Sequence, residues 1–150
     1  MDALDLLKSD HDRVKNLFQQ ALDNHGSPQF TSLIRQIKNE LEAHTRVEEQ
    51  VFYPAFANYP EFKELLGRSY QEHRFISDLA RHLSLAPDSD PISTSNEWNR
   101  RIRDLFESVS QHVLEEEKEF FPRVRKIMKR SEREQLGRHI QAFRQTAQAA

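Results

Sequence analysis

Four stretches of the sequence repeat apolar residues at alternating steps of three and four, which places them along one face of an α-helix. The first three stretches lie between Leu4 and Leu83, and the fourth begins at Thr94 and Glu97, a pattern typical of a capping box. Short connections favour neighbouring antiparallel helices. The sequence therefore predicts an all-α fold, an up-down-up-down antiparallel four-helix bundle.

Local signals predict where these helices begin, bend and end. Ser27 followed by Pro28 is typical of an N-cap with proline in the first turn of the second helix. Pro54 and Pro122 predict a kink or an end in the second and fourth helices. Residues 86–96 concentrate Pro, Asp, Ser and Thr, so they are expected to link two similar halves.

A further capping-box pattern, Ser131 with Glu134, predicts a short additional C-terminal helix over about residues 131–146. The bundle itself is expected to cover about residues 2–129. A length of 150 residues matches the usual size of one domain, so residues 1–150 are predicted to form a single domain.

The composition excludes several classes of function. The sequence has no Cys, which excludes disulfides, thiolate metal sites and a Cys nucleophile, so any metal must be bound by nitrogen and oxygen. The formal net charge is -2, so no overall field favours nucleic acid or an anionic membrane, and neither is expected as a partner. No apolar run approaches the ~20 residues of a membrane span, and no signal-peptide pattern is present, so a cytoplasmic protein is expected.

An ungapped repeat relates the two halves, because the segment His44–Pro54 aligns with the segment His112–Pro122. In each copy a His is followed four residues later by a Glu, and a lone His lies on the apolar stripe of the preceding helix. Six polar residues thus occupy positions that packing would give to Leu or Ile: His11, His44, Glu48, His73, His112 and Glu116. Burying ionised carboxylates costs several kcal/mol unless cations or donors compensate.

These six residues predict a metal site inside the bundle. A His and a Glu four residues apart project from one helix face, so each pair can reach a common point. Four imidazoles and two carboxylates are too many for one tetrahedral zinc and suit two metals that share carboxylates. Nitrogen-rich ligation favours iron over manganese or zinc. No Glu has a His three residues later, which disfavours the ferritin-like diiron class.

The order of lone His, His-x-x-x-Glu, lone His and His-x-x-x-Glu resembles that of hemerythrin-like, or HHE cation-binding, domains. The resemblance covers His11 to Pro122. It implies two iron ions in an oxo- or hydroxo-bridged non-heme diiron centre that binds or reacts with dioxygen, peroxide or nitric oxide. The ligand set that it implies is His11 and His44 on one iron, His73 and His112 on the other, and Glu48 and Glu116 as bridges.

One position departs from the oxygen-carrying members of this family. Their third helix has a second His one turn after the first, where this chain has Ser77. Water, hydroxide or a carboxylate such as Glu49 or Glu115 could fill that position. An exchangeable position favours reaction over reversible oxygen carriage. A binding protein, a peroxide-consuming enzyme and an iron or oxygen sensor with a redox or signalling partner therefore stay open.

Other candidates are less favoured as ligands. Glu117 competes with Glu116 as a bridge, and the symmetry with Glu48 favours Glu116. Tyr70 lies one turn before His73, where core packing is favoured over a place in the pocket. The remaining histidines are expected to be structural or exposed: His25, His82 and His139. Four aromatic residues are expected in the core: Phe18, Phe52, Trp98 and Phe120.

Overall fold

The computed structural model of the chain describes residues 1–24, 26–85 and 97–149, without the side chains of residues 84, 85, 148 and 149. Over these ranges the chain forms six α-helices and no strand. They are α1 (Ala3–Asp23), α2 (Gln29–Val47), α3 (Lys63–Leu85), α4 (Trp98–Glu115), α5 (Phe121–Ile127) and α6 (Arg130–Ala149). The predicted linker, Thr94 of the predicted cap and His25 lie outside the described residues.

The helices pack as the sequence predicts. Helix α1 contacts α2 and α4, and α3 contacts the same two helices, which closes a ring of four. Helix α6 lies outside this ring against α1 and α2. The fold is therefore an all-α bundle with an additional C-terminal helix, as expected. None of the described helices is both long and apolar enough to cross a membrane.

The second bundle helix continues beyond α2 through a widened turn. A π-helical turn covers Glu48–Phe52 and a 3-10 turn covers Tyr53–Phe56. The amide of Tyr53 donates to the carbonyl of Glu48, five residues back. The next residue, Pro54, has no N–H to donate and its ring would collide with the carbonyl four residues before it. The wider turn accommodates Pro54 without ending the helix.

The fourth bundle helix repeats this device at the equivalent place. Helix α4 passes into a π-helical turn at Glu116–Phe120 and then into α5. The amide of Phe121 donates to the carbonyl of Glu116, again five residues back, and Pro122 follows. Both prolines thus widen their helix, and both widened turns begin at a Glu that was predicted to bind metal.

The apolar core forms two clusters on either side of a polar layer. One cluster includes Leu7, Phe52 and Phe120, and the other includes Phe18 and Ile102. On each bundle helix the predicted site residues lie between the segments that enter the two clusters. The predicted core aromatics are all buried: Phe18, Phe52, Trp98 and Phe120.

Helix α6 is attached closely to the start of α1. Leu136 and Ile140 are buried in the core, and a Cβ at Gly137 would lie 2.7 Å from the carbonyl oxygen of Met1. Gly at this position therefore allows the two backbones to approach. At the same place Arg133 Nε lies 3.2 Å from Asp2 Oδ2.

Two predicted helix caps are wrong. Helix α2 begins at Gln29 with no side-chain cap, and Ser27 instead accepts the Phe30 N–H through its backbone carbonyl. At the start of α6, Lys129 N–H donates to Glu132 Oε1, while Glu134 pairs with Arg130 one turn away. Because Ser and Glu are frequent near helix starts, the spacing alone selected the wrong pair.

Candidate metal centre

The structure brings the six predicted residues into one buried cluster. None of the six is more than 9% exposed. They form two overlapping groups in which one possible ligand atom per residue lies within 4.8 Å of the others. The first group is His11, His44, Glu48 and Glu116, and the second group is His73, His112, Glu48 and Glu116. The two groups share both carboxylates.

Each shared carboxylate contacts one imidazole from each group. Glu48 Oε1 lies 3.2 Å from His44 Nε2 and 3.0 Å from His73 Nε2. Glu116 Oε1 lies 3.1 Å from His11 Nε2, and its Oε2 lies 3.2 Å from His112 Nε2. The carboxylates therefore lie between the groups, where bridging ligands belong, and all four imidazoles turn Nε2 inward.

The other nitrogen of each imidazole is bound to a second carboxylate. These four residues, the outer carboxylates, approach the Nδ1 atoms at 2.7–2.8 Å. The pairs are Asp10 with His44, Glu49 with His73, Glu72 with His112, and Glu117 with His11. An Nδ1–H donated to a carboxylate leaves the Nε2 lone pair free for a metal.

The outer carboxylates follow one another around the bundle. Helix α1 supplies Asp10 to the His of α2, and the widened turn after α2 supplies Glu49 to the His of α3. Helix α3 supplies Glu72 to the His of α4, and the turn after α4 supplies Glu117 to the His of α1. This carboxylate ring joins all four bundle helices through the site.

The flanking carboxylates lie outside the cluster. Glu117 is partly exposed and bonds to Nδ1 of His11 from outside, so Glu116 and not Glu117 lies between the groups, as the symmetry with Glu48 predicts. Glu49 binds the outer nitrogen of His73. Glu115 Oε1 pairs with Arg68 at 2.5 Å, away from the cluster. Neither Glu49 nor Glu115 fills the position expected beside Ser77.

Ser77 itself does not face the centre. Its side chain is exposed and lines a surface cleft between α2 and α3, together with Lys38 and Arg81. The side chain that lies among the residues of the second group is that of Tyr53, through its hydroxyl. That hydroxyl donates to Glu116 Oε2 at 2.6 Å and also lies 3.2 Å from Glu48 Oε1.

Tyr53 was not predicted as a site residue. Its oxygen lies 3.3 Å from His73 Nε2 and 3.5 Å from His112 Nε2, so it is close to every member of the second group. Burial together with the neighbouring charges of Glu116 and Glu48 raises the pKa of Tyr53 well above its ordinary value, which keeps the hydroxyl a donor. The sequence does contain a signal: Tyr53 aligns with Phe121 in the repeat, so only one copy carries the hydroxyl.

The remaining predicted residues lie where they were expected. Tyr70 packs its ring edge-on to Tyr53 at a centroid distance of 5.3 Å and is partly buried against the core. His82 and His139 are exposed on α3 and α6.

Four buried ligand atoms lack a hydrogen-bond partner among the described residues. They are His11 Nε2, His44 Nε2, Glu48 Oε2 and Glu116 Oε1. All four belong to the first group, where they lie close together without the alignment that a hydrogen bond needs. Buried polar atoms that remain unpaired are costly, and a cation would satisfy them together. The residues present therefore fit a metal ion.

The shifted pKa values in the cluster show that its buried carboxylates stabilise positive charge nearby. Burial disfavours the charged form of His44, but Glu48 and Asp10 outweigh this and raise its pKa to about 10. Burial also disfavours the charged form of His112, but Glu116 outweighs this and raises the pKa of His112 well above its ordinary value. Burial would raise the pKa of Glu48, yet the neighbouring His44 holds it well below the usual range. A metal cation would compensate the same buried carboxylates.

Comparisons with known proteins agree with this geometry. A cyanobacterial protein named DNA nickase, from Nostoc sp. PCC 7120, is 26% identical over 99% of this chain, although this chain spans only 40% of that protein. A solved structure of a hemerythrin HHE cation-binding domain-containing protein from Mycobacterium kansasii has a TM-score of 0.82 and covers 97% of this chain and 86% of that one. At 24% identity, this likeness shows the fold.

The family model of the hemerythrin HHE cation-binding domain matches residues 2–124. The match includes all six clustered residues and the four outer carboxylates, and it ends before α6. It confirms the resemblance that the repeated His-x-x-x-Glu motif suggested. The chain belongs to the hemerythrin HHE cation-binding domain family.

Proposed function

We propose that this chain is a non-heme diiron protein that binds or reacts with dioxygen or a related small molecule such as peroxide or nitric oxide. The observation that carries the proposal is the pair of overlapping ligand groups that share two carboxylates. His11 and His44 would hold one iron, His73 and His112 the other, and Glu48 and Glu116 both. Nitrogen-rich ligation favours iron over manganese or zinc.

When bound, the two ions would supply a pair of redox-active Lewis-acid centres. The two apolar clusters on either side of the polar layer would limit the entry of water to them. The ring of Phe121 stacks on His11 at a centroid distance of 6.0 Å, and that of Tyr53 stacks on His73 at 5.4 Å. These contacts also hold the two imidazoles in place.

Oxygen-carrying members of the family have a second His where this chain has Ser77. We propose that Tyr53 acts at the second iron in place of that His. Its hydroxyl lies close to both imidazoles of the second group and to both shared carboxylates. It donates a hydrogen bond to Glu116 Oε2 and could donate the same hydrogen bond to a small molecule bound beside it. This arrangement favours reaction over simple carriage.

Metal analysis tests the proposal first. Protein expressed with iron and purified without a His tag is expected to contain about two iron ions per chain. His44→Ala and His112→Ala are expected to lose iron with the fold retained, whereas His139→Ala, which removes an exposed His, keeps it. Negligible iron in folded wild-type protein would contradict the proposal.

Three assays on the iron-loaded protein separate the possible functions. An oxygen adduct that is released on evacuation indicates a binding protein, and oxygen evolution from peroxide indicates an enzyme. A change in the hydrogen-exchange protection of helices on metal loss indicates a sensor.

We propose small molecules, and not nucleic acid, as partners. The name DNA nickase belongs to a protein of which this chain spans 40%, and this chain has a formal net charge of -2. A plasmid-nicking assay with iron-loaded protein is expected to show no activity. Nicking that is lost in His44→Ala would contradict this assignment.

A further inference from the structure

Asp10 differs from the other outer carboxylates in its burial and in its partners. Its side chain is 3% exposed, whereas the side chains of Glu49, Glu72 and Glu117 are 27–34% exposed. Besides His44, it contacts two guanidinium groups, those of Arg13 and Arg144. A buried carboxylate that accepts from two guanidinium groups and an imidazole is fixed more firmly than one that faces water.

The two oxygens of Asp10 have different partners. Oδ1 accepts from Arg13 Nη2 at 2.6 Å, and Arg13 is also paired with Glu40. Oδ2 accepts from His44 Nδ1 at 2.8 Å and from Arg144 Nη2. Because Arg144 and His44 share one oxygen atom, Arg144 holds the acceptor that orients the imidazole.

Arg144 reaches this atom from α6, which lies beyond the residues matched by the family model. Buried Leu136 and Ile140 attach α6 to the bundle. Toward its end, Phe143 and Arg144 form part of the wall of a cleft of about 470 Å³ that is also lined by Asp10 and His44. The additional helix therefore contacts the surroundings of the first group directly.

We propose that Arg144 is a positioning residue for the metal centre. Through Oδ2 of Asp10 it holds the His44 imidazole so that Nε2 faces Glu48. Helix α6 therefore contributes to the metal position formed by the first group. Metal-ligating His residues depend on such outer partners, whose loss typically costs 10–100-fold in metal affinity. The inference builds on the proposed diiron function but is about this chain's own helix α6.

The chain offers a matched control in Arg133. It lies on the same helix and also pairs with an Asp, since its Nε lies 3.2 Å from Oδ2 of Asp2, the N-cap of α1, but this pair is not connected to a clustered His. Removing either Arg removes one ion pair between α6 and the first helix or its N-cap. Only Arg144 is expected to affect the metal.

The test is an anaerobic titration of ferrous iron against a chromogenic chelator with wild type, Arg144→Ala, Arg144→Lys and Arg133→Ala. Arg144→Ala is expected to weaken one of the two bound equivalents by about 10–100-fold and leave the other unchanged. Arg144→Lys restores part of the loss, because a Lys supplies the charge without the planar fork. Arg133→Ala binds iron like wild type.

A second readout needs no metal. In NMR spectra of the metal-free protein, the Nδ1 proton of His44 is expected to exchange faster with water in Arg144→Ala than in wild type. The Nδ1 protons of His11, His73 and His112 serve as internal references. Arg144→Gln repeats both measurements with most of the side chain retained, in case the alanine variant does not fold.

The outcomes separate the two proposals. Equal iron binding by Arg144→Ala and Arg133→Ala, or equal weakening of both equivalents, would overturn the role of Arg144 and leave the diiron function standing. If wild type binds no iron, the proposed function fails. The positioning role of Arg144 is then tested by the exchange of the His44 Nδ1 proton with water alone. Unchanged exchange in Arg144→Ala would overturn that role.

Discussion

Single residues in this centre depend on partners from other helices. Each clustered imidazole has a carboxylate at Nε2 and another at Nδ1, for example Glu48 and Glu49 at His73. Truncating an imidazole therefore leaves buried carboxylates without a partner, which costs more than the lost bond itself. Substitutions that remove one polar atom and keep the shape are the more informative tests.

Tyr53→Phe is such a substitution, because it removes the hydroxyl and keeps the ring that packs on His73 and Phe120. We expect the fold to be retained and the affinity for one of the two iron equivalents to fall about tenfold. A chelator titration monitored by absorbance measures it. Tyr70→Phe, which changes the ring next to Tyr53, is the control. Identical titrations for both variants would show that the hydroxyl has no role at the metal.

Glu116→Gln and Glu117→Gln separate a shared ligand from an outer partner. Glu116 is a member of both groups, so Glu116→Gln is expected to lower the occupancy of both irons. Among the clustered residues, all of which the structure describes, Glu117 contacts Nδ1 of His11 alone, so Glu117→Gln should weaken the binding of one iron by about 10–100-fold. Iron content after dialysis measures both effects. A larger loss of iron in Glu117→Gln than in Glu116→Gln would indicate that Glu117 is the shared ligand and Glu116 the outer partner.

How far the sequence predicts the centre depends on which helix supplies the partner. The His44–Glu48 pair was predictable, because residues four apart share a face on any regular helix. The outer carboxylates were not, since each belongs to a different helix from its His and the pairing depends on how the helices pack. Asp10 and Glu72 directly precede His11 and His73, yet they bond to the paired His of the next helix.

Among the helical elements, the two widened turns explain why Tyr53 escaped prediction. At 3.6 residues per turn, a residue five positions after Glu48 lies about 140° around the helix from it. A regular helix would therefore turn Tyr53 away from the centre. The π-helical turn that precedes Pro54 brings it back, so this contact depends on the widened turn and not on the helical period.

Pro54→Ala tests this dependence. An Ala supplies the N–H and removes the ring, so the turn can return to regular α-helical bonding. We expect metal-free protein to melt at the same or a higher temperature and iron to bind about tenfold more weakly at one position. Calorimetry and the chelator titration measure the two effects. Pro122→Ala is the comparison, since its turn carries Phe121, which has no hydroxyl. Unchanged iron binding in Pro54→Ala would show that the turn persists without proline.

Over the whole molecule, Asp2 connects the first helix to the last. It caps α1 by accepting the Asp5 N–H at 3.0 Å, and it pairs with Arg133 of α6. Although burial raises the pKa of Asp2, the Asp5 amide and Arg133 outweigh it and hold the pKa below 3.8. A lowered pKa means that the ionised carboxylate stabilises the fold above pH 3.8, and that this contribution is lost as the pH falls through the native pKa.

Asp2→Asn keeps the capping oxygen and removes the charge. We expect it to be less stable than wild type at pH 6 and to approach wild type as the pH falls below about 4. Asp2→Ala should lose about 1 kcal/mol more at every pH, because it also loses the cap. Urea unfolding between pH 3 and 6 measures these differences. A gap between wild type and Asp2→Asn that widens toward low pH would contradict the assignment.

The carboxylate ring has a consequence for the origin of such a chain. Two of its four links lie within a half, and the other two pass from each half to the other. Two identical hairpins related by a twofold axis would satisfy the same four links, so the carboxylate ring is compatible with a homodimer of half this length. When the two halves belong to one chain, a substitution in one half leaves the other half unchanged. Tyr53 opposite Phe121 is such a change, and it makes the surroundings of the two groups of possible ligands chemically distinct.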